Sequence, residues 1–295
     1  MTVLQDSHTL VEVPCPACGH ESSRSLAREG DFRIVRCQRC RLAYTSPRYK
    51  SPQAHYLGER EAILQKYGAI LRGEAGHNRD ANYDEELRAI ARVRPAGKLL
   101  DVGSHCGFFL RRARGLGWSI QGVEPSPNAC ELAREYYGLE IVQGTLIEAD
   151  FPSQSFDVVT LVDVFEHIDA PLELLKEVHR IIMPSGVLFI KVPNLVYYLA
   201  KYRLAGALGL DTEIFDAKEH VVHYSARTLR RTLTAAGFVV QRAFVPRPIQ
   251  DGAAWKHALR AGGHAVARLE FAFTRRFGPL AMDLAVLAQP KGSLA

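Results

Sequence analysis

The chain has 295 residues, of which 47% are hydrophobic and 23% are charged, with a net charge of +5. This composition is that of a globular protein and excludes a disordered or low-complexity chain. The small basic excess permits anionic substrates but does not require nucleic acid. The first residues lack the charged start and apolar run of a signal peptide, and no apolar stretch is long enough to span a bilayer, so we expect a cytoplasmic protein.

Two cysteine pairs form the first clear pattern, after residues 1–14, which we expect to be a frayed lead-in. The two Cys-x-x-Cys pairs consist of Cys15, Cys18, Cys37 and Cys40. Their spacing favours four thiolates around a structural zinc, with no ligand position left for a substrate. Two disulfides or redox-active thiols are the alternatives. Cys106 and Cys130 are expected to be simple buried residues.

The cysteine-rich segment is basic, with Arg33, Arg36, Arg39, Arg41 and Arg48. A basic zinc ribbon can bind nucleic acid, or it can be a packing module that helps to cover the mouth of an active site. The segment lacks the interleaved aromatic residues of a surface that binds single strands. The sequence therefore favours the packing module.

Apolar periodicity predicts the elements that follow. Two helices are expected near 59–72 and 80–93. Strands and helices then alternate, which predicts a mostly parallel, doubly wound α/β sheet with helices on both faces. The predicted strands cover about 98–102, 118–124, 140–143, 156–162, 187–192, 237–245 and 281–288. The predicted helices cover about 107–116, 126–137, 171–182, 226–236 and 253–276.

The strand at 98–102 ends in a glycine-bearing turn. Gly103 lets the chain reverse and lets a ligand approach the backbone, and Gly107 allows the next helix to pack near the strand. The second strand ends in Glu124, where a carboxylate can accept hydrogen bonds from both hydroxyls of a ribose. The sequence therefore predicts a cofactor site for an adenosine-containing molecule.

Three polar residues, Asp163, Glu166 and His167, follow the fourth predicted strand. They are expected at the carboxyl edge of the sheet, where ligands bind in doubly wound folds. A histidine with a pKa near neutrality can take the proton of an attacking hydroxyl. A divalent cation can instead lower the pKa of that hydroxyl.

These motifs resemble those of class I S-adenosylmethionine (SAM)-dependent methyltransferases. Asp101-x-Gly103-x-x-x-Gly107 is similar to the family's first motif, with His105 in place of its middle glycine. That replacement requires a residue tolerant of unusual backbone angles. The stretches 156–167 and 183–194 are similar to the family's fourth and fifth strands. The resemblance covers about residues 80–290 and implies a Rossmann-like fold with a mostly parallel seven-stranded sheet.

The resemblance also implies how the chain is divided. Residues 1–50 would form the zinc ribbon, 51–95 a helical lid and 96–295 the methyltransferase domain. An apolar insertion at about 195–224 would cap the acceptor, or only pack against the ribbon and lid. The implied cofactor-binding residues are Asp101, Gly103, Ser104, His105, Gly107, Phe108, Glu124, Pro125, Thr145, Leu146, Val162 and Asp163.

A metal site is one of three open interpretations of the strand exit. Asp163, Glu166 and His167, followed by His220 or His223, resemble the metal-binding set of ubiquinone-pathway O-methyltransferases and small-RNA ribose methyltransferases. Such a set would hold Mg²⁺, Mn²⁺ or Zn²⁺. The alternatives are a metal-free base among His167, His220 and His223, or a purely structural Glu-His pair.

The predicted C-terminal helix at 253–276 is basic and amphipathic. It could lie on a membrane or hold a partner. The favoured interpretation is a solvated basic face over a normal core, with an apolar face of Trp255, Leu259, Val266, Leu269 and Phe273.

Methyltransferases of sugar and natural-product pathways with an N-terminal zinc ribbon are similar in layout. The resemblance therefore implies O-methylation of a small metabolite, with SAM as cofactor and zinc as a structural ion. An RNA methyltransferase that grips RNA with the ribbon, and a non-catalytic zinc-ribbon binding protein, are the alternatives. A homodimer is possible.

Overall fold

A computed structural model describes residues 9–50, 59–95, 97–210, 213–249 and 254–292, with side chains in the last range described from residue 257. Three sheets organise these residues: a two-stranded pair, a four-stranded sheet and a seven-stranded sheet. None of the helices in this part of the chain is both long and apolar enough to cross a bilayer.

The N-terminal segment is built from short strands. They are β1 (Leu10–Val11), β2 (Ser23–Glu29), β3 (Phe32–Cys37), β4 (Ala43–Thr45) and β5 (Arg48–Tyr49). Strand β1 pairs antiparallel with β5, so the prediction of a frayed lead-in is wrong for residues 10–11. The four-stranded sheet has the order β11-β4-β3-β2, in which β11 (Val222–His223) comes from a distant part of the chain.

Two helices, α1 (Arg60–Leu71) and α2 (Asp80–Ala91), lie between the ribbon and the main sheet in sequence. In α2 the buried residues Tyr83, Leu87 and Ile90 recur at helical spacing and face the core. The ring of Tyr83 meets that of Phe109 edge to face at 5.4 Å. Their burial fixes α2 against the helix that follows the glycine turn.

The large sheet has the strand order β12-β13-β10-β9-β6-β7-β8. Its central strands pair in parallel, whereas β13 is antiparallel to both of its neighbours. The prediction of a mostly parallel seven-stranded sheet is therefore confirmed. The bounds are β6 Lys98–Val102, β7 Ser119–Glu124, β8 Ile141–Gln143, β9 Phe156–Val162, β10 Ile182–Pro193, β12 Phe238–Phe244 and β13 Asp283–Pro290.

Local signals set the starts of several helices. Ser126 caps its helix by accepting a hydrogen bond from Ala129 N–H, and Ser225 and Thr228 form a capping box. The predicted insertion at about 195–224 contains a helix that was not predicted from the sequence. The helices are α3 Phe108–Gly115, α4 Pro127–Tyr137, α5 Pro171–Ile181, α6 Leu195–Ala207, α7 Ala226–Ala235 and α8 Ala254–Thr274.

The insertion packs against the N-terminal sheet. Leu195 and Leu199 of α6, together with Phe215, share a buried cluster with Phe32 and Ile34 of β3. The opposite face of that sheet joins the main core, in which Tyr44 lies with strand residues of the large sheet. Because both faces are covered, the ribbon is built into the rest of the molecule.

Helix α8 departs from the expected amphipathic packing. The apolar side chains of Leu259, Val266, Leu269 and Phe273 are 51–85% exposed. Among the side chains of α8 that the structure describes, from residue 257 onward, the buried one is Ala267. Phe271 packs beside Ala267 and lies 4.6 Å from Phe277 between ring centroids. The expected apolar face over a normal core is therefore wrong for the four exposed residues, because the helix makes its contact through a different face. The Trp255 side chain lies outside the described residues.

Candidate functional site

Four cysteines meet in the N-terminal segment. Cys15 and Cys18 precede β2, Cys37 ends β3, and Cys40 lies in the turn before β4. The Sγ atoms of Cys15 and Cys40 are 3.4 Å apart and those of Cys18 and Cys37 are 3.6 Å apart. No disulfide joins them, and all four sulfurs lie within 4.8 Å of one another. This arrangement fits a tetrahedral, closed zinc site.

Burial and backbone hydrogen bonds act in opposite directions on the ionisation of the cysteine cluster. Burial raises the pKa of the Cys15 thiol well above its ordinary value. Burial opposes ionisation of Cys37 as well, but hydrogen bonds from the backbone N–H groups of Cys40 and Arg39 lower its pKa to about 7. A metal that replaces the thiol protons would relieve the cost of burying four sulfurs together.

The glycine turn joins β6 to α3. The N–H groups of Gly103 and Ser104 both donate to Val123 O, at 2.8 and 3.2 Å. Gly107 has φ +75°, and a Cβ atom at this residue would overlap Leu139 Cδ1. His105 adopts φ +49°, as its place in the motif requires. The turn therefore has the close helix–strand packing that the sequence predicts.

Two predicted cofactor residues are buried carboxylates. Glu124 accepts hydrogen bonds from the N–H groups of His105 and Ser126, each at 2.9 Å, and burial raises its pKa. Asp101 accepts from Thr160 Oγ1 at 2.6 Å, and burial raises its pKa to about 7. Glu124 retains further lone pairs, since each carboxylate oxygen can accept two hydrogen bonds.

Other predicted cofactor residues differ in exposure. Ser104 Oγ is buried and has no hydrogen-bond partner among the described residues. Thr145 binds Glu148 through its N–H and hydroxyl, both at 2.8 Å. The Leu146 side chain is only 2% exposed and lies in the main core. Phe108 is buried, whereas Pro125 and Val162 are half-buried.

An aromatic cluster that the sequence analysis missed covers the glycine turn. Tyr67 of α1 lies 5.4 Å from His105 and 5.3 Å from Phe108, measured between ring centroids. His77 lies 4.6 Å from Phe108 and 5.6 Å from Tyr83. Burial lowers the pKa of both His77 and His105 to about 4, so both rings are neutral near pH 7. The helical segment before the sheet therefore contacts the turn through uncharged rings.

A charged network, also missed from sequence, surrounds Asp163. Its carboxylate pairs with Arg79 and with Lys191 Nζ, the latter at 3.1 Å. Lys191 is fully buried on β10 and lies 3.5 Å from Glu86 of α2. Asp163 adopts φ +55°. These residues lie far apart in the sequence, and no local pattern indicates that they pair.

Glu166, His167 and His220 come together at the exit of β9. Glu166 and His167 lie in a single 3₁₀ turn, Phe165–His167, and Glu166 O accepts from Val221 N–H at 3.0 Å. One potential ligand atom from each of the three side chains lies within 4.8 Å of the others. Asp163, the fourth member of the set implied by resemblance, does not join them and faces the charged network instead.

Main-chain carbonyls orient both imidazoles of this cluster. His167 Nδ1 lies 3.1 Å from Glu219 O, and His220 Nδ1 lies 3.0 Å from Phe215 O. A carbonyl can only accept, so each Nδ1 carries the proton and the ring lone pair is at Nε2. This is the orientation found in metal-ligating histidines.

Burial sets the charges of the cluster. It raises the pKa of Glu166 to about 8, and Glu166 Oε2 has no hydrogen-bond partner among the described residues. Burial, and then the neighbouring His167, lower the pKa of His220 to about 3. Burial also lowers the pKa of His167. The uncharged forms of these three side chains are therefore favoured near neutral pH.

His223 lies apart from this cluster, on β11. Its Nε2 is 3.1 Å from Thr45 Oγ1, whose hydroxyl donates to His220 O at 2.7 Å. Burial, and then His220, lower its pKa to about 3. A cavity of about 10 Å³, close to the volume that holds one water or ion, lies beside His220 and His223. Its lining is Glu166, Pro193, Leu195, Tyr198, Phe215, His220, Val222 and His223.

Comparison with known proteins places this site in a family. Residues 75–243 match the family model described as a methyltransferase domain. A demethylmenaquinone methyltransferase of Lysinibacillus sphaericus is 31% identical over 104 residues, which are 32% of this chain and 44% of that protein. A mitochondrial ubiquinone biosynthesis O-methyltransferase of Schizosaccharomyces pombe is 31% identical over 97 residues, which are 30% of this chain and 35% of that protein. The chain thus spans less than half the length of these curated relatives.

Solved structures agree on the fold. A protein of Pyrococcus horikoshii OT3 superposes with a TM-score of 0.53 and 16% identity, over 79% of this chain and 100% of that one. A SAM-dependent methyltransferase of Aquifex aeolicus superposes with a TM-score of 0.50 and 14% identity, over 79% of this chain and 99% of that one. Because the family match extends over more than half of the chain and includes the glycine turn and the β9 exit, the chain belongs to the class I SAM-dependent methyltransferases.

Proposed function

We propose that this methyltransferase transfers the methyl group of SAM to a hydroxyl oxygen of a small metabolite, such as a sugar or natural-product intermediate. The observation that carries the proposal is the cluster of Glu166, His167 and His220 beside a small cavity at the carboxyl edge of the sheet. Ligands of doubly wound folds bind at this edge. Two relatives that match part of the chain are named ubiquinone biosynthesis O-methyltransferases, which supports an oxygen acceptor.

The donor would lie over the glycine turn. Glu124 would accept hydrogen bonds from the ribose hydroxyls with the lone pairs that His105 and Ser126 leave available. Ser104 Oγ is buried without a partner among the described residues, and a polar group of the cofactor would satisfy it. Asp163 would face the charged end of the methionine part. Thr145 would lie beside the adenine, with its N–H and hydroxyl both held by Glu148.

The acceptor oxygen must lose its proton as it attacks the methyl group. Glu166, His167 and His220 fit a divalent cation, since an unsatisfied buried carboxylate oxygen and two carbonyl-oriented imidazoles form a mixed O/N ligand set. When bound, such a cation would lower the pKa of the acceptor hydroxyl. His223 holds the segment through Thr45 and would position His220. The apolar rings of Tyr198 and Phe215 would exclude water from the acceptor side.

Methyl transfer to a panel of hydroxyl-bearing metabolites tests this proposal. Formation of S-adenosylhomocysteine is followed with and without added Mg²⁺ or Mn²⁺, and the product is analysed by NMR for a new O-methyl group. Glu166→Gln should lower turnover by at least about a hundredfold while the affinity for S-adenosylhomocysteine stays unchanged. Glu173→Gln, the same change on the exposed face of α5, is the control. A methyl group on nitrogen or carbon, or full turnover of Glu166→Gln, would refute the proposal.

A further inference from the structure

The exposed side of helix α8 is apolar along most of its length, among the side chains described from residue 257 onward. Arg268 interrupts it and lies 3.7 Å from Glu85. The exposed apolar residues between 258 and 273 are Ala258, Leu259, Ala261, Gly262, Ala265, Val266, Leu269, Ala272 and Phe273. We call these residues the α8 face. An apolar surface of this extent in contact with water indicates an interaction site.

The spacing of the α8 face is that of a helix which packs on another helix. Leu259, Gly262, Val266, Leu269 and Phe273 recur at alternating intervals of three and four residues. This is the spacing of the apolar seam along which two helices pack in a coiled coil. The expected occupant of the α8 face is therefore a helix with the same apolar period.

The two ends of the α8 face are complementary in size. The N-terminal end is narrow at Ala261 and Gly262, and nothing lies within 4 Å of a Cβ atom built on Gly262. The C-terminal end carries Leu269 and Phe273, which are 60% and 85% exposed. When two copies of α8 lie antiparallel, the large end of each packs on the small end of the other. The face is thus complementary to itself, as a two-fold symmetric pair requires.

The charges beyond the end of α8 favour the same antiparallel orientation. Arg275 and Arg276 directly follow the helix, and both are exposed. A parallel pair would place four guanidinium groups side by side. An antiparallel pair separates the two sets by about 20 Å or more, so their repulsion is small.

We propose that the α8 face is the interface of a homodimer, in which the α8 helices of two copies pack antiparallel across a two-fold axis beside Ala265. Leu259, Val266, Leu269 and Phe273 are 51–85% exposed. Exposure of this extent leaves about 500 Å² of apolar surface on each copy. With the alanines and Gly262 included, the pair buries more than about 1,200 Å², the area at which stable interfaces begin.

A lipid surface is the less favoured occupant of the α8 face. A helix that lies on a membrane carries many lysines and arginines on its polar side, where they meet the lipid headgroups. The polar side of α8 faces its own chain instead. Arg260 donates to Ile249 O at 3.4 Å, and Arg268 lies beside Glu85. These guanidinium groups are therefore turned away from the surface that a membrane would contact.

Sedimentation equilibrium of the zinc-loaded, full-length chain tests the interface. The wild type should be a dimer. Leu269→Glu should raise the dissociation constant of the dimer at least about a hundredfold, because a carboxylate would be buried against apolar side chains. Leu204→Glu is the matched control: it makes the same change at a leucine of α6 that is 63% exposed, and it should change the constant less than about twofold.

Cross-linking with a short bismaleimide tests the antiparallel orientation. Ala265→Cys lies beside the two-fold axis and should give a covalent dimer. Ala272→Cys lies on the same side of α8, seven residues further along, so it is about 20 Å from its counterpart and should not cross-link. The wild type, treated in the same way, controls for the native cysteines.

Four results would overturn the proposal. They are a wild type that stays monomeric at about 100 µM, a dimer that Leu269→Glu leaves intact, covalent dimers of Ala272→Cys as abundant as those of Ala265→Cys, and a monomeric wild type that co-sediments with vesicles of phosphatidylcholine and phosphatidylserine. The last result would assign the α8 face to a membrane. Leu269→Glu should keep the circular dichroism of the wild type, because its side chain is largely exposed within one copy.

Discussion

The Nζ atom of Lys191 lies 3.1 Å from a carboxylate oxygen of Asp163 and 3.5 Å from one of Glu86, in a position where the lysine side chain is 1% exposed. Asp163 directly follows β9, the strand that leads to the proposed catalytic cluster, and Glu86 belongs to α2. A single buried ammonium group therefore links α2 to the exit of β9.

Replacement of Lys191 by methionine should destabilise the protein strongly. Asp163 keeps Arg79 as a partner, but Glu86 is fully buried and neither of its oxygens has a hydrogen bond among the described residues. Removing one member of a buried ion pair costs about 3–5 kcal/mol in the free energy of unfolding. Urea unfolding of Lys191→Met measures this loss in the free energy of unfolding. Lys176→Met, the same change at an exposed residue, is the control.

The double variant Lys191→Met, Glu86→Leu separates the charge from the packing. An apolar pair of similar volume should recover most of the loss, because neither buried charge remains. If the double variant were no more stable than Lys191→Met, the ion pair would not be the source of the stability.

Asp101 should make the protein less stable as the pH rises from about 4 to about 7. Burial raises the pKa of this carboxyl from 3.8 to about 7, although the Thr160 hydroxyl opposes the shift. A raised pKa means that the folded state binds more protons than the unfolded state in this range, so the free energy of unfolding falls with pH. About three pKa units correspond to at most about 4 kcal/mol.

Chemical unfolding of the wild type and Asp101→Asn at several pH values between 4 and 8 checks this expectation. The stability of Asp101→Asn relative to the wild type should rise steadily over this range and then level off. Thr160→Val, which removes the hydrogen bond to the carboxylate, should raise the pKa of Asp101 further, so that the fall in stability continues to higher pH than in the wild type. Parallel curves for the wild type and Asp101→Asn would contradict the shift.

Gly107→Ala should destabilise the protein by about 2–4 kcal/mol, through both a left-handed backbone and an overlap with Leu139 Cδ1. Gly138→Ala is the matched control. Gly138 has φ +59°, yet nothing lies within 4 Å of a Cβ atom built on it. This second variant should therefore lose only about 1–2 kcal/mol. Thermal unfolding of both variants measures the two losses in stability. Equal losses would show that the overlap with Leu139 does not contribute.

Loss of zinc should affect the acceptor site as well as the ribbon. Among the strands that the structure describes, β11, which carries His223, pairs with β4 of the N-terminal sheet and with no other. Cys37→Ser should abolish stoichiometric zinc binding and lower the thermal midpoint, since metal binding contributes directly to folding. It should also reduce methyl transfer, because Thr45 then no longer holds His220 and His223. Elemental analysis and unfolding of the purified variant test this, with Cys130→Ser as the control that should retain its zinc.

The elements of this fold were predictable because their signals are local. The strand, turn and helix around Gly103 and Gly107 depend on residues adjacent in sequence, and the paired Cys-x-x-Cys spacing brings four cysteines together within one short segment. The seven-stranded sheet followed from the alternation of apolar strands and helices. Helix α6 was missed because the apolar residues of its segment did not indicate where a helix begins and ends.

The sequence by itself therefore determined the family, the sheet and the cysteine cluster. Only the tertiary structure decided which distant side chains meet: Asp163 pairs with Arg79 and Lys191, while Glu166 and His167 meet His220. The same holds for Arg24 and Arg36, which face each other because of strand register. Register, crossover and helix orientation depend on how the whole core packs, so these partners cannot be inferred from spacing along the chain.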